Sequence, residues 1–117
     1  MLDTFKQPTN LPLPHFAALA GKSRQQIYKD IDARLLLALN VGPRGQRLPD
    51  WQLDGVKRRL TQTVLAAAGD IDDWTIYRAL SQPQASLSGQ TPVDAVTSTS
   101  VEQIARNVVD ALGLQPT

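Results

Sequence analysis

Residues 13–31, LPHFAALAGKSRQQIYKDI, and residues 36–49, LLALNVGPRGQRLP, decide how the chain is read. Ala17, Gly21 and Ile27 fall at intervals of four and six in the first run. That is helix-turn-helix spacing: a small residue lets a second helix cross close by, a glycine tolerates positive φ in the turn, and a branched apolar residue locks the pair. Pro12 and Pro14 punctuate the start of the first helix, with Phe16, Leu19 and Ala20 as its apolar stripe and Gly21 as its stop. Ser23, followed three residues later by Gln26, reads as a capping box that fixes where the second helix begins. Ile27 and Ile31 face inward, which leaves Arg24, Gln25, Tyr28 and Lys29 on the outer face.

Arg and Gln have the donor and acceptor geometry that matches guanine and adenine edges in the major groove, while Lys and Tyr more often reach phosphates. The same four residues would also suit an ordinary solvated helix face. In the second run, two short extended segments flank Gly42-Pro43-Arg44-Gly45 and predict a β-hairpin. Arg44 sits at its tip and Arg47 on its return strand. Directly after a recognition helix, such a hairpin would be a wing touching backbone or minor groove; otherwise it is a plain hairpin with solvent-facing arginines.

Residues 16–49 resemble the winged helix-turn-helix of the MerR and excisionase class. In that class a segment of the form Gly-Val-Ser-x-x-Thr-Val-Tyr-Arg-Trp-Ile precedes a short hairpin ending in Arg-x-Pro. Here the matching residues are Gly21-Lys22-Ser23, Ile27-Tyr28-Lys29-Asp30-Ile31 and Arg47-Leu48-Pro49, with departures at Lys22 and Asp30. The resemblance implies major-groove readout by the helix over residues 23–32 and backbone contact by the wing. The expected DNA-binding residues are Ser23, Arg24, Gln25, Gln26, Tyr28, Lys29, Arg44 and Arg47.

The charge is unevenly spread. Residues 1–59 hold ten Lys or Arg against five Asp, a net of +5, and residues 60–117 hold two Arg against six Asp or Glu, a net of −4. A basic, polyanion-facing half followed by an acidic half fits that split. The 117 residues suffice for one typical domain or two very small ones. The absence of cysteine excludes disulfides, thiolate metal sites and a cysteine nucleophile. No apolar run reaches membrane-span length and the first ten residues lack a signal-peptide pattern, so a cytoplasmic protein is expected.

Downstream, Asp50 is expected to cap a third helix carrying Trp51 in its first turn. Leu53, Val56, Leu60, Val64 and Ala67 form its stripe, Lys57, Arg58 and Arg59 lie mid-helix, and Gly69 ends it. The basic run is a solvated face or, if it flanks the wing, a phosphate clamp. Asp70, Asp72 and Asp73 precede Trp74, Ile76, Tyr77 and Leu80; a helix N-terminus accounts for them better than a metal, because no ligand loop follows. Thr91 caps a short helix with Pro92 at its first position. Ser100 and Gln103 form a second capping box, before a helix striped by Val101, Ile104, Ala105, Val108 and Leu112 and closed by Gly113.

Residues 80–112 resemble the toxin-binding domain of MbcA/ParS/Xre-type antitoxins, on Pro83, on Leu87-Ser88-Gly89-Gln90-Thr91-Pro92 and on the spaced Val and Leu of the last helix. Ala79 and Leu80 stand where a tryptophan is usual, and Ser100 where a glycine usually opens the last helix. The resemblance implies partner binding through Leu87, Gly89, Thr91, Pro92, Val101, Ile104, Val108 and Leu112, the partner being a toxin of the class that consumes NAD.

The expected fold is mainly α with one small β-hairpin: a flexible arm (1–12), a winged helix-turn-helix (13–50), a linking helix (51–69) and a helical partner-binding domain (70–117). No catalytic constellation, metal site or cofactor motif is found; His15 is the only histidine and lies beside an apolar helix. The functional expectation is a transcriptional regulator, the antitoxin of a toxin–antitoxin pair, binding double-stranded operator DNA as a homodimer on two half-sites. Two alternatives stand beside it: a protein-interaction module without DNA binding, and an excisionase-like architectural factor.

Overall fold

The computed structural model describes residues 10–40 and 45–113. Its element order is β1 (Asn10–Pro12), α1 (Leu13–Ala20), α2 (Arg24–Asp32), β2 (Leu39–Asn40), β3 (Gln46–Pro49), a 3-10 turn (Asp50–Leu53), α3 (Gly55–Ala68), α4 (Asp73–Ser81), a second 3-10 turn (Ala85–Leu87), α5 (Pro92–Ala95) and α6 (Val101–Ala111). The fold is mainly helical with a small antiparallel sheet in the order β1-β3-β2.

The sheet is larger than the expected hairpin. Asn10–Pro12, expected within a loose arm, is a strand that pairs with β3, Leu11 standing opposite Leu48. Leu39 pairs with Arg47 on the other edge of β3. The opposed pair Leu11 and Leu48 is buried and the next residue along β3, Arg47, is exposed, as strand alternation requires; Leu39, opposite Arg47, is nevertheless buried, so both faces of the sheet are partly covered. Three residues ending in a proline are too short to show that period in sequence. The expected hairpin tip, including Gly42, Pro43 and Arg44, lies outside the described residues.

Pro14 occupies the first turn of α1, where its missing N–H costs no bond. The buried stripe is Leu13, Phe16 and Ala17. Leu19, expected in that stripe, is 57% exposed, because the helix starts at Leu13 and turns position 19 outward. Gly21 closes α1 at φ 69°, and Lys22 N–H then donates back to Ala17 O at 3.0 Å. Ser23 Oγ accepts from Gln26 N–H at 3.1 Å and caps α2. The reciprocal half of the expected box is absent, since Gln26 Nε2 instead donates to Asp30 Oδ1 at 2.9 Å.

After α2 the chain runs between two apolar cores. Leu36 and Ala38 pack with Leu13, Phe16, Ile27 and Leu48; Leu37, between them, packs with Trp51, Leu60, Val64 and the C-terminal helices. The polar atoms of Leu37 are met by one fully buried side chain. Gln52 Oε1 accepts from Leu37 N–H at 2.6 Å, and Gln52 Nε2 donates to Leu37 O at 2.9 Å and to Pro49 O at 3.3 Å.

The third helix begins later than expected. Asp50 opens a 3-10 turn rather than capping a helix, and Asp54 caps α3, its Oδ1 accepting from Val56 N–H at 2.9 Å and Lys57 N–H at 3.1 Å. The tighter turn buries the adjacent residues Trp51 and Gln52 together. The α3 stripe is Leu60, Thr61, Val64, Leu65 and Ala68, with Ala67 exposed. This face packs within the chain against α6, whose Val101, Ile104, Ala105 and Val108 are buried. Asp72 caps α4 and Thr91 caps α5 through side-chain oxygens, as the sequence indicates. Ser100 does not cap α6; its Oγ accepts from Thr97 N–H at 2.8 Å and closes the preceding turn.

The Gln52 contacts predict a specific cost. Replacing Gln52 with Leu keeps the volume but leaves the Leu37 N–H and C=O unpaired in the interior, which should destabilise the fold by about 3 kcal/mol. Urea unfolding should show a lower midpoint at unchanged slope; an unchanged midpoint would mean that these bonds contribute nothing net.

Candidate nucleic-acid interface

The α2 helix has two unlike faces because its residues are anchored differently. Ile27 is fully buried and Ile31 packs on the same core. Ser23, Arg24, Gln25, Tyr28 and Lys29 are exposed, and Tyr28 retains 53% of its surface. Asp32, outside the expected contact set, is exposed on the same side, as its position four residues after Tyr28 and three after Lys29 indicates. The face therefore carries two cations, one carboxylate, an amide and a phenol. Such a set can donate to base edges and phosphates, with Asp32 limiting the positive potential.

Gln26 is exposed as a residue, but its amide is engaged by Asp30. Asp30 is buried and takes a second bond from Lys22 Nζ at 3.0 Å. Burial pushes the Asp30 carboxyl up. Hydrogen bonds from Lys22 and Gln26, with the positive charges of Lys22 and Arg58, outweigh it and hold the group below its ordinary value. The two residues where the chain departs from the winged-helix pattern, Lys22 and Asp30, are thus partners: one ion pair ties the turn to the inner face of α2.

Arg47 is exposed on β3, with Nη1 3.4 Å from the carbonyl oxygen of Asn10. Arg44 lies outside the described residues. The run Lys57, Arg58, Arg59 does not act as one clamp. Lys57 is 3.8 Å from Asp94 of α5, Arg58 donates to Gln52 O at 3.3 Å, and Arg59 is exposed.

The eight residues expected to bind a partner are not gathered on one exposed face. Val101, Ile104 and Val108 are core residues facing α3, Pro92 is buried at the start of α5, and Leu87 and Leu112 are half-buried against the same core. Their apolar spacing reflects internal packing. Gly89 is exposed at φ 82° in a turn where Ser88 also has positive φ, and Thr91 is occupied as a cap. Of that set, the exposed part is this turn. No group of side chains suited to a metal occurs among the described residues, and no helix there is long and apolar enough to cross a membrane.

Comparison with models of known protein families, with characterised proteins and with solved structures gives no match. The two resemblances therefore rest on the residues quoted for them.

The Asp30 cluster has a pH signature. A carboxyl whose folded pKa is depressed contributes fully above its unfolded value and loses that contribution as pH falls through the folded one. Asp30→Asn should cost about 2 kcal/mol near neutral pH, with the difference from wild type closing once acid has protonated Asp30 in the native protein. A difference constant from neutral to acid pH would show that the carboxylate charge is not what matters.

Proposed function

We propose that this chain is a DNA-binding transcriptional regulator in which α1 and α2 form a helix-turn-helix, α2 is the recognition helix and β2–β3 is the wing. The observation that carries this is the division of α2: Ile27 and Asp30 are fixed inside while Arg24, Gln25, Tyr28 and Lys29 stand free in solvent. A nine-residue helix is about 13 Å long, comparable with the width of a major groove. The net charge of +5 over residues 1–59 favours a polyanionic partner, and Arg47 is exposed on the adjoining sheet. In this scheme Gln26 orients Asp30 and does not read bases.

The acidic C-terminal half is the partner-binding unit. By its resemblance to antitoxin domains, the partner is a toxin, and the pair represses its own promoter. One helix-turn-helix rarely binds tightly alone, so the DNA-bound form is a homodimer on half-sites about one helical turn apart. A protein-interaction module without DNA binding is the second reading, favoured by the exposed Leu19 and Leu35.

Salt separates the two. A fragment of the chain's own promoter region should be retarded on a gel at low salt, with affinity falling steeply as salt rises. Arg24→Ala should cost about 1–3 kcal/mol and relax preference at one base position, whereas Lys29→Ala should weaken all sequences alike and lower the salt slope by about one. If no such fragment is retarded at low salt, DNA binding is excluded and the interaction-module reading stands.

A further inference from the structure

Beside α2, away from its exposed face, lies a cleft. It opens between α1, the start of α2 and the 3-10 turn and has a volume of about 140 Å³. Phe16, Ile27 and Leu36 are buried beneath its floor, and Ala20 and Leu53, both half-buried, supply apolar lining at the surface. Leu19, 57% exposed, lies on the same lining and offers apolar surface to whatever enters. Lys22 and Arg58 bring positive charge to it.

These cations differ in availability. Lys22 is paired with Asp30 at 3.0 Å. The half-buried Arg58 guanidinium makes, among the described residues, one hydrogen bond, from Nη1 to Gln52 O at 3.3 Å. Its other N–H groups remain for a ligand, in the planar fork that suits a carboxylate. With Asp30 nearby, two cations and one carboxylate leave a net positive charge of one around the cleft.

We infer that this cleft binds a small monocarboxylate with a compact apolar body, either one aromatic ring or a short branched chain. An apolar cavity of about 150 Å³ accommodates benzene, so a cleft of about 140 Å³ matches a single ring in size. Charge selects an anion over a cation, and the apolar lining selects a hydrophobic body over a bare inorganic ion. The carboxylate sits on Arg58 and the body rests against Leu19, Ala20 and Leu53, the apolar lining residues that reach the surface. No residue of this lining belongs to the exposed α2 face, so the site and the proposed DNA interface stand or fall separately.

Benzoate, titrated into the full-length isotope-labelled chain, tests the assignment. Saturable amide shifts are expected at Leu19, Ala20, Lys22 and Leu53, around the cleft. Benzyl alcohol, which lacks the charge, and acetate, which lacks the body, should each bind at least about tenfold more weakly. Arg58→Gln should weaken benzoate to a similar degree. Because Arg58 also holds Gln52, Ala20→Leu supplies a second variant: it fills the cleft, leaves both cations in place and should abolish the shifts in a protein whose spectrum remains folded. Absence of saturable shifts up to roughly 50 mM benzoate, equal binding of benzyl alcohol, or unchanged binding by Ala20→Leu would each overturn the assignment.

Discussion

The fold depends on one buried amide. The segment 36–38 is a partition between two cores, with Leu36 and Ala38 on one side and Leu37 on the other. A partition with apolar packing on both sides has no water for its own N–H and C=O, and an unpaired peptide group there costs on the order of 1–3 kcal/mol. Among the described residues no strand lies alongside to supply partners. Gln52 does so, because its terminal amide offers an acceptor and a donor at the spacing of a neighbouring peptide group. The 3-10 turn follows from the same need: it buries Gln52 beside Trp51 and carries the chain into α3.

Other contacts at this junction fix the two halves as one body. Trp51 stacks on Tyr77 with ring centres 5.6 Å apart, and Trp74 meets the edge of the same ring system at 5.8 Å. Trp74 Nε1 donates to Asn40 O and Asn10 Nδ2 to the Tyr77 hydroxyl, so α4 is held to both outer strands of the sheet. Arg34, at φ 62°, reaches Asp73 at 3.1 Å. That ion pair is well exposed and contributes little by itself; its significance is geometric, since the chain holds a non-glycine residue in a conformation that costs roughly 1–2 kcal/mol to leave α2 and enter the partition.

Much of this was legible in the sequence wherever the signal is local. Ser23, Asp72 and Thr91 mark helix starts by their side-chain oxygens, Gly21 marks a helix end by its freedom to take positive φ, and each does so here. The exposed face of α2 followed from Ile27 and Ile31 alone. What was missed depends on partners distant in sequence. β1 exists because β3 is beside it. Asp50 and Ser100 look like caps, but burial of Trp51 with Gln52 and the Thr97 turn decide otherwise. Gln26 reads as a base-contacting amide until the buried Asp30 claims it. The apolar spacing in α6 is that of a core helix and of a docking helix alike, and only the position of α3 distinguishes them.

The aromatic cluster has an optical consequence. The chain contains two tryptophans, and both touch the same tyrosine at the joint between the sheet and the C-terminal helices. Emission intensity and near-ultraviolet ellipticity therefore report on that joint and scarcely on the remainder. A change in either signal on adding a ligand or a partner means that the joint itself has moved. A silent spectrum means that whatever bound left the two halves as they were.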